Sequence, residues 1–139
     1  MYKASKEIFF CYGHRLLNYA GKCKNLHGHN AKAEIMLASE TLDDRHMVVD
    51  FDDIKAEVKT WLDETIDHKM VLSKDDPLLP VLRDHGVVCC VLETNPTAEA
   101  LAKVIFDYAA GRGFPVVRVN VWETESSYAT YERTYDALA

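Results

Sequence analysis

Residues 29–39, HNAKAEIMLAS, constrain the fold more than any other stretch of this chain. Ala31, Ala33, Ile35 and Leu37 recur at every second position, with Lys32 and Glu34 between them. Side chains alternate across a strand, so the pattern predicts a strand with one packed face and one polar face. SKEIFFCY, rich in Ile and aromatics, predicts a strand before it. The connection between them, GHRLLNYAGKCKNL, carries polar and reactive groups.

After Asp50 the period changes. Phe51, Ile54, Val58, Trp61 and Leu62 mark one helical face, and Asp50, Asp52 and Asp53 crowd its start, where carboxylates suit the helix dipole. SKDDPLLPVLRDHG reads as a loop and VVCCVLE as a short buried strand. NPTAEALAKVIFDYAAGRG predicts a second helix, with Asn95 as cap, Pro96 in the first turn, and Leu101, Ile105 and Tyr108 on one face. Gly111 or Gly113 is placed to end it. VVRVNVWET alternates Val117, Val119 and Val121 against Arg118 and Asn120, and SYATYERTY reads as the last strand. Paired strands separated by helices predict an α+β domain, an antiparallel sheet with helices on one face. The open edges of such a sheet invite pairing with further copies.

With 139 residues, no internal repeat and no linker, residues 1–139 are expected to form a single domain. No apolar run approaches the roughly 20 residues that span a bilayer, and the first residues lack the apolar segment of a secretory signal, which predicts a cytoplasmic protein. The net charge of −6 argues against a broad nucleic-acid surface. It leaves room for an anionic small molecule held by a few local cations. Cys11, Cys23, Cys89 and Cys90 do not resemble a secreted disulfide framework, and the Cys89–Cys90 pair reads as small core side chains.

CKNLHGHN concentrates the chemistry. On a strand, His27 and His29 share one face, with Gly28 leaving room between them. His14, just past the first strand, is the best third ligand. Three imidazoles leave one metal position open, the arrangement of catalytic zinc. H-x-H alone is more often an ordinary strand pair; His14 and Cys23 nearby favour metal. A rival set, Cys11, His14, Cys23 and His27, would make a closed structural zinc site but leaves His29 unexplained. Cys23 acts as base or nucleophile only as a thiolate, which a nearby dication or cationic Lys24 favours. The flanking Lys22 and Lys24 argue against its deep burial. Asp67–His68 and Asp84–His85 are two acid–imidazole neighbours; the second precedes Gly86 and reads as solvated surface, as does His46.

Taken in order, GHRL, CKNLHGH (C-x3-H-G-H), MVVDFDDIK, LDETIDHKMVL, NPTAE and VWETESSYATY resemble the family of 6-pyruvoyltetrahydropterin synthase and 6-carboxytetrahydropterin synthase. The resemblance runs through most of the chain. It implies a tunnelling fold, ββααββ, with an antiparallel four-stranded sheet and two helices on one face. It also implies a homohexamer of two trimers with active sites at subunit boundaries, and Zn2+ on His14, His27 and His29.

Under the same resemblance Cys23 is the general base, Asp67 and His68 are the partner proton relay, Glu123 anchors the pterin ring, and Thr97 helps line that pocket. The implied substrate is 7,8-dihydroneopterin triphosphate, for which Arg15, Lys22 and Lys24 are phosphate-contact candidates from charge alone. The implied product is 6-carboxytetrahydropterin, in queuosine biosynthesis, with the 6-pyruvoyl product or a non-catalytic zinc or pterin binder as alternatives. Cys11 and Tyr12 stand where relatives usually carry small residues, which keeps the rival set with Cys11 open.

Overall fold

The computed structural model describes residues 1–133. Two long strands open the chain, β1 (Tyr2–His14) and β2 (His27–Ser39), antiparallel and in unbroken register from Tyr2↔Ser39 to His14↔His27. Helix α1 covers residues 51–65 and leads into β3 (Lys69–Ser73), and helix α2 (Leu78–Asp84) leads into β4 (Cys89–Leu92). Helix α3 (Ala98–Gly111) is followed by β5 (Val116–Thr124) and β6 (Ser127–Glu132). Of the expected last strand, Thr134 and Tyr135 lie outside the described residues.

The architecture is α+β, but the sheet is not four antiparallel strands. It has six strands in the order β4-β3-β1-β2-β5-β6. The β1–β3 and β3–β4 pairs are parallel, so the sheet is mixed. β3 is five residues long and follows α1 directly, too short for period-2 alternation to mark it. The segment read as a loop contains α2, whose first turn is held by the Asp76 carboxylate accepting the Leu78 N–H at 2.8 Å.

One face of the sheet packs against helices. Ile8, Phe10, Tyr12 and His14 of β1 are buried, as are Ala31, Ala33, Ile35 and Leu37 of β2, while Phe9, on the other face, is 70% exposed. The alternation read from the sequence thus places the core correctly. Ile54, Val58 and Leu62 of α1, with Ile66 just beyond it, and Leu101, Ala102, Ile105, Phe106 and Ala109 of α3 complete one apolar cluster. The stripe in α1 recurs every fourth residue, which in a regular α-helix drifts about 40° per step. A wider π turn at Lys55–Lys59 takes up that drift and keeps the stripe on the sheet. Phe51 is the exception to the expected face, exposed at the helix start, while Trp61 stacks on Tyr108 with ring centroids 4.2 Å apart.

Three local expectations change. Thr97, not Asn95, caps α3, its hydroxyl accepting the Ala100 N–H at 3.1 Å. Gly113, at φ +89°, turns the chain out of that helix. A register shift opposite Met36 and Leu37 brings Val116 rather than Val117 into the core. Cys89 and Cys90 are only half-buried, because β4 is a sheet edge. No helix among the described residues is long and apolar enough to cross a membrane.

Candidate metal centre and adjoining cavity

The last residues of β1 and the first of β2 carry the histidines. His14 and His27 are cross-strand partners, and His29 stands opposite Tyr12, all on the core face. One nitrogen from each imidazole lies within 4.8 Å of the others. The His14 and His29 Nε2 atoms are 3.1 Å apart. Gly28 pairs with Gly13 across the strands, so its missing side chain clears the opposite face rather than the space between the imidazoles. A Cβ there would stand 3.3 Å from the Tyr12 carbonyl oxygen.

Hydrogen bonds to backbone carbonyls set the tautomers. His14 Nδ1–H donates to Pro96 O and His27 Nδ1–H to Asn25 O, each at 2.7 Å. Their Nε2 lone pairs therefore face the cluster, and the buried His27 Nε2 has no hydrogen-bond partner. An orphaned buried acceptor costs about 1–3 kcal/mol unless something fills its lone pair. Burial, only partly opposed by the Pro96 bond, holds His14 below the ordinary imidazole range, and burial does the same to His29. Neutral imidazoles with converging lone pairs fit a divalent metal. Cys11 lies outside this group: an odd number of positions from His14, it points to the other face of β1, which removes the closed four-ligand rival.

Tyr12 and Glu123 flank the histidines. Tyr12 packs edge-on to His14 with centroids 5.0 Å apart, and its hydroxyl donates to Glu123 Oε1 at 3.4 Å. Burial first, then the Glu123 charge, pushes the Tyr12 hydroxyl far above the ordinary phenol range. Glu123 Oε2 is 3.9 Å from His29 Nε2. Tyr12 is a site neighbour that sequence reasoning treated only as a departure. Its phase with His14 along β1 was the available signal.

Cys23 rides a short 3-10 turn, Lys22–Lys24, folded back by the Leu16 N–H donating to Cys23 O at 2.8 Å. Cys23, Thr97 and Glu123 line one cavity of about 280 Å³ with Tyr19 and Tyr128. Lys22 and Lys24 are exposed beside it. Arg15 is committed elsewhere: its Nε donates to Asp76 Oδ2 at 2.8 Å and its Nη2 to Asp76 Oδ1.

Asp67 and His68 do not join that cavity. They sit in the turn after α1, His68 at φ +60°, its backbone N–H donating to Cys11 O at 2.7 Å. The turn brings the neighbouring side chains together, with His68 Nδ1 2.7 Å from Asp67 Oδ2. Asp67 Oδ1 accepts the Cys11 N–H at 2.8 Å. Burial opposes ionisation of Asp67, yet the bonds from Cys11 and His68 outweigh it and hold the carboxyl below its ordinary range. Both residues face a groove of about 710 Å³ that Phe9, Cys11 and Trp122 also line. Asp84 and His85 are exposed, as expected.

The sequence profile of the family described as 6-pyruvoyl tetrahydropterin synthase matches residues 3–134. The chain belongs to that family. Within it, the chain is 38% identical over 124 residues to the 6-carboxy-5,6,7,8-tetrahydropterin synthase of Aquifex aeolicus, covering 80% of this chain and 76% of the relative. It is 33% identical over 135 residues to the enzyme of the same name from Rickettsia felis, covering 92% and 98%. Its fold is similar to that of an uncharacterized protein from Wolinella succinogenes, with a TM-score of 0.79, 27% identity, and 96% and 98% of the two chains covered. The 6-pyruvoyl tetrahydropterin synthase of Caenorhabditis elegans shares the fold at a TM-score of 0.71 and 23% identity, with 96% of each chain covered.

Proposed function

We propose that the chain is a Zn2+-dependent 6-carboxy-5,6,7,8-tetrahydropterin synthase, a lyase of queuosine biosynthesis. It converts 7,8-dihydroneopterin triphosphate and one water to 6-carboxytetrahydropterin with release of acetaldehyde and triphosphate. The name carried by the Aquifex and Rickettsia relatives supports the reaction. The observation that carries the site is the convergence of His14, His27 and His29 beside Glu123.

Zn2+ held by the three histidines would supply Lewis acidity to the substrate side chain. The residues of this chain do the rest. Glu123 offers a carboxylate to the planar guanidine-like edge of the pterin, a bidentate match that fixes the ring. The Tyr12 hydroxyl steadies that carboxylate from the core side. Cys23 takes a proton from the side chain on one face. His68, held by Asp67, moves the proton on the other. The dihydropterin ring accepts the electrons that the side chain gives up, so no nicotinamide is needed.

Because Cys23 and the Asp67–His68 pair occupy different cavities of one chain, the complete site takes Cys23 and Glu123 from one copy and the relay from a neighbour. A cytoplasmic homohexamer of two trimers is the assembly proposed.

The deciding experiment incubates the Zn2+-loaded protein with 7,8-dihydroneopterin triphosphate and identifies products by mass spectrometry. Acetaldehyde with a carboxylated tetrahydropterin supports the proposal. A pyruvoyl pterin moves the chain to the other activity of its family, and unchanged substrate makes it a binder.

A further inference from the structure

The β1 face opposite the histidines holds a second group of metal-ligating side chains. Cys11, Asp67 and His68 each offer one ligand atom, and these lie within 4.8 Å of one another. Their positions follow from backbone contacts rather than from chance encounters of long side chains. The Cys11 N–H holds the Asp67 carboxylate, and the Cys11 carbonyl accepts the His68 N–H, so the turn after α1 is tied to one residue of β1 by two bonds of 2.8 and 2.7 Å. In the single chain the His68 side chain is 79% exposed, its Nδ1 held 2.7 Å from Asp67 Oδ2, and it faces an open groove.

We propose that Cys11, Asp67 and His68 form a second cation site, separate from the three histidines, that takes a thiophilic divalent ion such as Zn2+. A thiolate, an imidazole and a carboxylate together select zinc over magnesium or calcium, which prefer all-oxygen sets. Binding releases the thiol proton and replaces the Asp67–His68 hydrogen bond by two bonds to the metal. Resting on the relay role proposed above, occupancy of this site switches the lyase off, because His68 can no longer carry a proton. Within one chain the two groups lie on opposite faces of β1, since Cys11 and Tyr12 point to opposite sides of the strand. The chain thereby gains sensitivity to excess zinc.

The test is titration of metal-free protein with Co2+, which reports thiolate ligation by a thiolate-to-cobalt charge-transfer band. Expected is a first equivalent without that band and a second equivalent with it. Cys11→Ser and His68→Ala keep the first equivalent, which shows that each variant is folded, and lose the second. Cys23→Ser keeps both. A band that survives in Cys11→Ser, or that vanishes in Cys23→Ser, overturns the proposal, as does saturation at one equivalent.

Turnover supplies an independent reading. Zn2+ beyond the first equivalent should abolish most turnover of the wild-type protein and spare Cys11→Ser. If the chain proves not to be a lyase, the cobalt spectra still decide whether this site exists.

Discussion

The Nδ1 of His14 lies 2.7 Å from the carbonyl oxygen of Pro96, 82 positions away in the chain. That carbonyl is held in place by its neighbour. Asn95 accepts the Leu17 N–H at 2.8 Å and donates to the Leu17 carbonyl at 2.9 Å, tying the loop before α3 to the strand end that carries His14. Asn95→Ala should therefore weaken metal binding by about 10-fold or more, the usual effect of losing support behind a ligand. Competition with a chromogenic chelator measures this; unchanged affinity would show that the Pro96 bond needs no such clamp.

Thr97 lines the cavity with Cys23 and also caps α3. Thr97→Val should cost about 1 kcal/mol of stability through the lost cap, and Thr97→Ser should restore it. Denaturant unfolding separates the roles. A Val variant as stable as wild type would leave Thr97 with the cavity alone.

Glu123 is the carboxylate proposed to meet the pterin edge. Glu123→Gln removes one charge-assisted partner, worth about 1.5–3 kcal/mol, so kcat/KM should fall by about 10- to 100-fold. Zinc content should not change, because three histidines still supply the donors. Steady-state kinetics with metal analysis on one preparation checks both halves.

The Arg15–Asp76 pair makes stability depend on acid. The Arg15 guanidinium holds Asp76 below the ordinary carboxylate value of 3.8, helped by the Leu78 N–H against the cost of burial. Its folded-state value is depressed, so its contribution is complete above 3.8 and is lost as pH falls through the depressed value. Asp67 adds to the same acid limb. Asp76→Asn should flatten the fall of Tm below pH 4 and cost about 2–3 kcal/mol near neutrality, less than a fully buried pair because Arg15 reaches solvent. Thermal unfolding across acidic pH tests it; an acid limb as steep as wild type would exclude Asp76 as its source.

If Cys23 and His68 meet only between copies, two dead variants should rescue each other. Cys23→Ala and His68→Ala, unfolded together and refolded at equal amounts, should recover about a quarter of wild-type turnover, the share of interfaces pairing an intact Cys23 with an intact His68. No recovery, with mixed oligomers demonstrated by mass spectrometry, would place both groups in one chain's site.

Much of this was readable along the chain. Ala31, Ala33, Ile35 and Leu37 announced the packed face of β2, and the phase of His27 and His29 with them put both imidazoles on that face. The fours from Ile54 to Leu62 announced a helix. Other features were hidden because their cause is not local. β3 is a strand only because β1 and β4 offer it partners, and Phe51 belongs to the apolar pattern of α1 but is left exposed at its start. Asn95 looks like a cap until Leu17 arrives to occupy its amide.

The sequence by itself determined which residues are candidates for the chemistry and which face of each long strand they share, because alternation and residue type are local properties. Only the tertiary structure decided the tautomers of His14 and His27 and the company of Tyr12 and Glu123. It also put Asp67 and His68 on the far side of β1 from Cys23. These are set by contacts between elements far apart in the chain, where the backbone carbonyl that orients an imidazole has no side chain to betray it.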